Sequence, residues 1–368
     1  MRHKTDPGLW SDWEWQDNHA IRNVEALARF LILSPGDVSQ IAGVSKTCPL
    51  KITPYYLQLI NPQKPDCPIR KIAVPDGREL LAHPNELRDP IGDASPMNRH
   101  SLPSLVHRYP DRVLLFPTQR CGMYCRHCFR KWRRGALPSF PSARETASAV
   151  SYIRTHPDIK EVILSGGDPL MLNNEVLFSL LAKLKRIAHV KVLRIHTRMP
   201  VVNPFRITNT LAEGLSRFRP LWLVTHFNHP RELTKTARDH VSLLLERGIP
   251  LLNQTVLLKG VNADADTLRA LSWGLIEAGI QPYYLHHLDC VQGLSHFRIS
   301  IDEGTHLIRQ LQGTLPGYAI PRYMLDIPGG HGKVPLEYPY VKRDACGGIV
   351  VESPKGESVA YTDITPSS

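Results

Sequence analysis

From about residue 110 onward the chain alternates between two kinds of segment, and that alternation restricts its folds more than any other feature. Short runs rich in Val, Ile and Leu have the length and composition of buried strands: RVLLFP (112–117), EVILS (161–165), KVLRIHT (191–197), LWLVTHF (221–227), PLLNQTVLL (250–258), PYYLHHL (282–288) and AIPRYML (319–325). Between most of them lie amphipathic stretches at helical spacing, at 144–154, 174–188, 231–248 and 263–279. A unit recurs roughly every 30 residues, the repeat of strand–helix units that build a parallel sheet. The expected fold class is α/β, a partial or full parallel β/α barrel, with a doubly wound open sheet as the alternative.

The barrel core is expected over 106–335. Before it, residues 1–105 read as a helical, proline-punctuated region. AIRNVEALARFLIL (20–33) has helical spacing, SPGDVSQIAG restarts after a Ser-Pro break, and 84–104 is a polar, proline-rich connector. Residues 336–368 read as a short C-terminal extension with some strand character. No run of eighteen apolar residues occurs, so no membrane span is expected. The N-terminus carries acidic residues and no apolar stretch of leader type, which points to the cytoplasm. The net charge of +11 is spread along the chain, and its one dense cluster is RHCFRKWRR (126–134), a weak pointer to nucleic acid.

The seven cysteines are an odd number in a long chain, which argues against a disulfide framework. Three of them, Cys121, Cys125 and Cys128, fall within eight residues in TQRCGMYCRHCFRK, as C-x3-C-x2-C directly after the first barrel strand. That places them on a loop at a strand's C-terminal end, where barrel active sites are built. Three thiolates suit a soft metal centre. A structural zinc site wants four ligands, which His127 or a distant Cys would have to complete. A [4Fe–4S] cluster held by three cysteines leaves one iron open to a further ligand.

This pattern resembles the signature of radical S-adenosylmethionine enzymes, and its wider context, HRYPDRVLLFPTQRCGMYCRHCFRK, resembles the lysine 2,3-aminomutase family. The resemblance runs from about Trp10 to Val341. It implies a [4Fe–4S] cluster on the three cysteines, S-adenosylmethionine chelated to the open iron, and pyridoxal 5′-phosphate. It also implies an adenosyl radical that removes hydrogen from C3 of an amino acid while the amino group moves from C2 to C3. An electron donor of flavodoxin or ferredoxin type is implied too, together with a homo-oligomer such as a dimer.

Further residues follow from the same resemblance. SGGDPL (165–170) resembles the motif that holds the amino group of S-adenosylmethionine, through Ser165, Gly166, Gly167 and Asp168; taken alone it is a Gly-Gly-Asp turn. His226, in LVTHFNHP, and Gln254, in NQTVLL, would touch the same cofactor from strand ends, with His127 beside the cluster. LDIPGGHGKVPL (325–336) reads as a glycine-rich turn carrying Lys333, without the residues of a Walker loop. The matching family lysine forms the Schiff base with pyridoxal phosphate. Arg108, Tyr109 and Arg112, in HRYPDR, occupy the family's phosphate positions, and guanidinium forks suit a dianion. Arg130 would hold a substrate carboxylate, and the strand-end carboxylates Asp289 and Asp326 a distal ammonium.

The sequence departs from the family in places. The C-terminal tail has only Cys346, and Asp264 stands where the family places a zinc-binding cysteine, so no structural zinc is expected. His286 stands where the lysine enzymes carry a tyrosine near pyridoxal. His286 and LDCVQG (288–293) lean toward the branch that β-lysylates elongation factor P, whereas the intact D-x-P-G-G-x-G-K segment does not, although His331 replaces a glycine within it. The sequence reading is a 2,3-aminomutase that turns L-lysine into β-lysine. The alternatives are an aminomutase for arginine, a lysine enzyme serving elongation factor P, and a zinc-stabilised RNA-binding protein.

Overall fold

Each apolar run becomes a strand because its β-branched and aliphatic side chains find cover on one face from a helix and on the other from the barrel interior. The computed structural model describes residues 6–93, 102–133 (the side chain of Arg133 excepted), 138–343 and 348–362. Nine strands form one sheet in chain order: β1 Leu105–Tyr109, β2 Arg112–Thr118, β3 Glu161–Gly166, β4 Val192–His196, β5 Leu221–Thr225, β6 Leu251–Val256, β7 Gln281–His286, β8 Arg322–Ile327 and β9 Gly332–Pro335. Strands β2 to β8 are all parallel, while β1 and β9 join antiparallel at the two ends. The sheet is therefore a partial barrel, open along a seam between β1 and β9. Its strand order excludes the doubly wound alternative, whose order reverses.

Helices cover the outer face between strands and start where a cap frees the chain. Ser142 caps Ala143–Thr155, Asn173 caps Asn174–Lys185, Thr234 caps Lys235–Glu246, and Asp264 caps Ala265–Glu277 through Thr267 N–H at 2.8 Å. A further helix, Ile301–Leu311, lies between β7 and β8. The expected strand 319–325 is displaced to 322–327. Gly317–Ala319 is a 3-10 turn, and Pro321, which has no N–H to donate, precedes the first paired residue.

The N-terminal region differs from the long helix expected at 20–33, where only Val24–Leu27 is helical. Ile21 instead pairs with Ile52 in a β-bridge, which uses its N–H and carbonyl outside any helix. The restart after Ser-Pro is helical over Pro35–Ser45 and carries a capping box from Ser34 and Asp37. Leu27, Ile41, Ile52, Tyr56, Ile69 and Ile72 belong to the same continuous apolar core as barrel residues such as Leu115, Leu164, Ile195 and Leu223. At about 1.5–3 kcal/mol for each fully buried aliphatic or aromatic side chain, this shared core ties the N-terminal region firmly to the barrel. Beyond β9, β10 Val341–Arg343, β11 Ile349–Glu352 and β12 Ser358–Tyr361 form a separate antiparallel sheet. Cys346 lies outside the described residues. No helix among the described residues is long and apolar enough to cross a membrane.

Candidate active site

The loop after β2 carries Cys121, Cys125 and Cys128, all partly exposed and free of disulfides. Its path is set by the turn that follows β3. Gly167 N–H donates to the carbonyl of Thr118 at 2.9 Å, and Asp168 N–H to that of Arg120 at 2.7 Å. A Cβ on Gly167 would lie 2.3 Å from the Arg120 carbonyl oxygen, so only glycine lets the two turns meet. The Asp168 side chain is otherwise engaged than expected. Buried, it accepts from Thr197 Oγ1 (2.7 Å), Arg198 N–H (2.7 Å) and Leu170 N–H (3.0 Å), and so ties β3 to the end of β4. These three bonds brace the turn against which the cysteine loop rests. Ser165 and Gly166 end β3, half-buried beside it.

Arg198 was not singled out from the sequence, yet it reaches the cysteines directly. One guanidinium nitrogen lies 2.6 Å from Cys125 Sγ, another donates to Glu232 Oε1 at 2.6 Å, and Nε donates to the His226 carbonyl at 3.2 Å. Burial works against its charge, but Cys125 and Glu232 hold the guanidinium firmly protonated. A fixed cation at this distance suits the anionic centre that three cysteines would hold. Each cysteine of a four-iron cluster binds a different iron, so its ligands need not close on one point as those of a single ion do. Among the described residues, no three Cys, His, Asp or Glu side chains do close on one point. The donor set and the nearby cation therefore fit a cluster. His127 is buried between Arg126 and Cys128.

The basic stretch 126–134 is not a surface patch, at least up to its described residues. The side chains of Arg126 and Lys131 are 0% and 1% exposed, and both bind Glu79. That burial removes the feature on which an RNA-binding reading rested.

The other half of the site is a hairpin. The segment expected as a glycine-rich turn folds as β8, a 3-10 turn at Pro328–Gly330, and β9, so Lys333 sits on a strand directly opposite Asp326. Lys333 Nζ is ion-paired with Asp326 Oδ2, and His286 Nδ1 lies 3.5 Å from the same oxygen. Neither contact falls on Oδ1. Burial alone would raise the Asp326 pKa, but His286 and Lys333 hold it well below the usual carboxylate range. Asp289 lies three residues beyond the end of β7, on a loop rather than at the strand end. Burial and the neighbouring Asp326 push it up to about 7, against Lys333 and Arg130.

Arg130 donates through Nε to Asp93 Oδ2 at 2.7 Å and stacks over the rings of Phe116 and Phe129. This leaves its terminal nitrogens as a fork suited to a carboxylate. Gln254 lies within β6, two residues before its end, and its amide nitrogen is 2.9 Å from His286 Nε2. His226 follows β5 directly, and burial, then Arg198 and His286, lower its pKa to about 3. His196, unremarked in the sequence, ends β4 with its ring 5.7 Å from that of His226, and its buried Nε2 has no hydrogen-bond partner among the described residues. Burial first, then Arg194, His226, Lys333 and Arg130, keep it neutral.

At the seam, Lys333 N–H donates to Tyr109 Oη at 2.9 Å, and a Cβ on Gly332, at φ +96°, would crowd that hydroxyl at 3.1 Å. Arg108 donates to the carbonyl of Ile91. Arg112 stacks on Tyr109 at 3.9 Å and pairs with Asp111. The structure thus gathers Arg108 and Tyr109 at the Lys333 hairpin, with Arg112 stacked on Tyr109. Lys333, Asp326, Asp289, Arg130, His196, His226 and His286 are linked by contact or by mutual electrostatic influence. A lysine with two guanidinium groups nearby suits an aldehyde cofactor that carries a phosphate.

This arrangement defines a class, a radical S-adenosylmethionine barrel, and the Radical SAM superfamily model matches residues 115–271. The chain is 39% identical over 354 residues to the L-lysine 2,3-aminomutase of Clostridium subterminale, covering 96% of this chain and 84% of that protein. It is likewise 39% identical over 356 residues to the L-lysine 2,3-aminomutase of Fusobacterium nucleatum, at 96% and 83% coverage. Against the glutamate 2,3-aminomutase of Clostridioides difficile it is 34% identical over 356 residues, at 96% and 83% coverage. The chain belongs to the lysine 2,3-aminomutase family of radical S-adenosylmethionine enzymes. It is an isomerase whose cofactors are a [4Fe–4S] cluster, S-adenosylmethionine and pyridoxal 5′-phosphate.

Proposed function

We propose that the enzyme moves the α-amino group of L-lysine to C3 and so makes β-lysine. The observation that carries this reading is a buried cluster of groups of unlike charge around Lys333. Arg130 offers a fork of donors, and Asp289, within electrostatic reach of Arg130, Lys333 and Asp326, joins Asp326 as a second carboxylate beside Lys333. A ligand with a carboxylate at one end and an ammonium at the other satisfies both, and each buried charge then has a partner. A glutamate side chain would instead bring a second anion toward two carboxylates.

In this reading Cys121, Cys125 and Cys128 hold the cluster. Gly166, Gly167, His127, His226 and Gln254 line the S-adenosylmethionine side, and Lys333 holds pyridoxal phosphate with Arg108, Tyr109 and Arg112 at its phosphate. When bound, these groups supply the hydrogen-abstracting radical and the carbonyl carbon that lets nitrogen migrate. The protein's own residues do the rest. Arg130 and the two aspartates fix the ends of the substrate and so decide which C–H bond faces the radical. Asp326 takes up the ammonium of Lys333 whenever that lysine is free of cofactor. His196, His226 and His286, held neutral, add no charge to repel the substrate cation.

The reading extends to a cytoplasmic enzyme reduced by a flavodoxin- or ferredoxin-type donor. It also extends to a homo-oligomer, which the exposed Val341, Val359 and Tyr361 on the C-terminal sheet support. The test is anaerobic incubation of reconstituted enzyme with reductant and, separately, L-lysine, L-arginine and L-glutamate, followed by product identification. β-Lysine is expected. A β-amino acid formed only from arginine or glutamate overturns the assignment.

A further inference from the structure

The cluster loop leans on the N-terminal region at points that no local sequence pattern announces. Tyr124 N–H donates to the Lys51 carbonyl at 3.0 Å, and Arg126 N–H to the Ile72 carbonyl at 2.8 Å. The third contact is ionic. The Lys51 ammonium donates to the carbonyl of Cys121 at 2.7 Å and to Asp17 Oδ1 at 2.6 Å. Arg120, the residue before Cys121, donates to Asp17 Oδ2 at 2.9 Å. One carboxylate thus serves two cations, and the group carries one net positive charge beside the first cysteine. Lys51 and Asp17 are 3% and 6% exposed, whereas Arg120 is 42% exposed. Burial pulls the Lys51 pKa down, and Asp17 opposes that pull. A lysine so deeply buried is costly, and a backbone carbonyl alone would not call for a charged donor.

We infer that Lys51, seated on Asp17, is a positioning residue for the cluster: it holds the Cys121 backbone, and its fixed charge raises the reduction potential of the cluster bound there. The inference rests on the three cysteines as cluster ligands. Three thiolates make the centre anionic, and reduction adds one further negative charge to it. A fixed cation in a low-dielectric surrounding stabilises the reduced form more than the oxidised one. Arg120 contributes in the same sense but less, because solvent screens it.

The test uses the full-length, reconstituted holoenzyme and variants Lys51→Gln, Lys51→Arg and Arg120→Gln. Iron and sulfide are counted per chain, and the midpoint potential is read by titration monitored with electron paramagnetic resonance. All variants are expected to carry the iron of the parent. Lys51→Gln titrates at a more negative potential, Arg120→Gln shifts the same way by less, and Lys51→Arg stays near the parent. An unchanged midpoint in Lys51→Gln overturns the inference, as does a Lys51→Arg midpoint displaced as far as that of Lys51→Gln. If Lys51→Gln fails to load iron, Arg120→Gln decides: a negative shift with full iron supports the inference, and no shift overturns it. A parent that binds no iron overturns the cluster assignment itself.

Discussion

The two halves of the site are held in opposite ways. Around the cysteine loop, buried charges are matched by the protein itself: Glu79 by Arg126 and Lys131, Asp17 by Lys51 and Arg120, and Glu232 by Arg198. Around the Lys333 hairpin the matching is incomplete. Asp289 is pushed up to about 7, Asp326 spends one oxygen on both Lys333 and His286, and His196 buries a nitrogen with no partner among the described residues. The first half is a seat finished before anything binds. The second is a receptor whose groups are completed by a ligand. That division suits an enzyme in which one cofactor stays fixed while lysines come and go.

The finished half should break outright when cut at its ligands. Cys125→Ala is expected to lose essentially all bound iron and all cleavage of S-adenosylmethionine, measured by iron content and by 5′-deoxyadenosine release. Full iron loading in that variant would remove Cys125 from the seat. Next in size is Glu79→Ala, which leaves Arg126 and Lys131 buried without their shared carboxylate. Breaking a buried ion pair costs about 3–5 kcal/mol, so chemical denaturation should show a loss of that order. A change within about 0.5 kcal/mol, the range of ordinary surface substitutions, would mean that the triad does not brace the loop.

The same contrast explains what could be read in advance. The barrel strands were legible because burial on both faces writes itself as short aliphatic runs, and the cysteine triplet because its three ligands are local. The hairpin was half legible. Its glycines marked a turn, but the pairing of Lys333 with Asp326 depends on a strand register that composition does not carry. The braces were not legible at all. Lys51 and Asp17 are 34 residues apart, and Arg126 and Glu79 are 47 apart. No periodicity links such partners, so only the folded chain reveals them. The failed helix at 20–33 has a related cause, since a distant partner, Ile52, outbid local propensity at Ile21.

The receptor half should yield smaller, ligand-specific effects. Asp326→Ala removes a carboxylate expected to face the substrate ammonium, and losing one member of such a desolvated pair costs at least about 2 kcal/mol. That corresponds to roughly thirtyfold or more in kcat/KM for lysine. Cleavage of S-adenosylmethionine in the absence of substrate draws on the other half and should change little. Equal losses in both assays would show that Asp326 supports the whole site rather than the substrate.

The smallest effect is a pH dependence, and its sign is fixed by Asp289. With a pKa of about 7 in the free enzyme, this carboxyl is largely protonated below that pH and ionised above it. The lysine side chain remains a cation throughout, so it binds best to the ionised form, and binding releases the proton. Apparent affinity for lysine should therefore rise with pH up to about 7, by at most about tenfold per unit, and then level off. Asp326, whose pKa lies well below the usual range, adds no slope there. In Asp289→Asn the rise should vanish and affinity should sit near the low-pH value of the parent. A parent profile that is flat between pH 6 and 8 would place Asp289 among the groups already matched, and the contrast between the two halves would lose its clearest member.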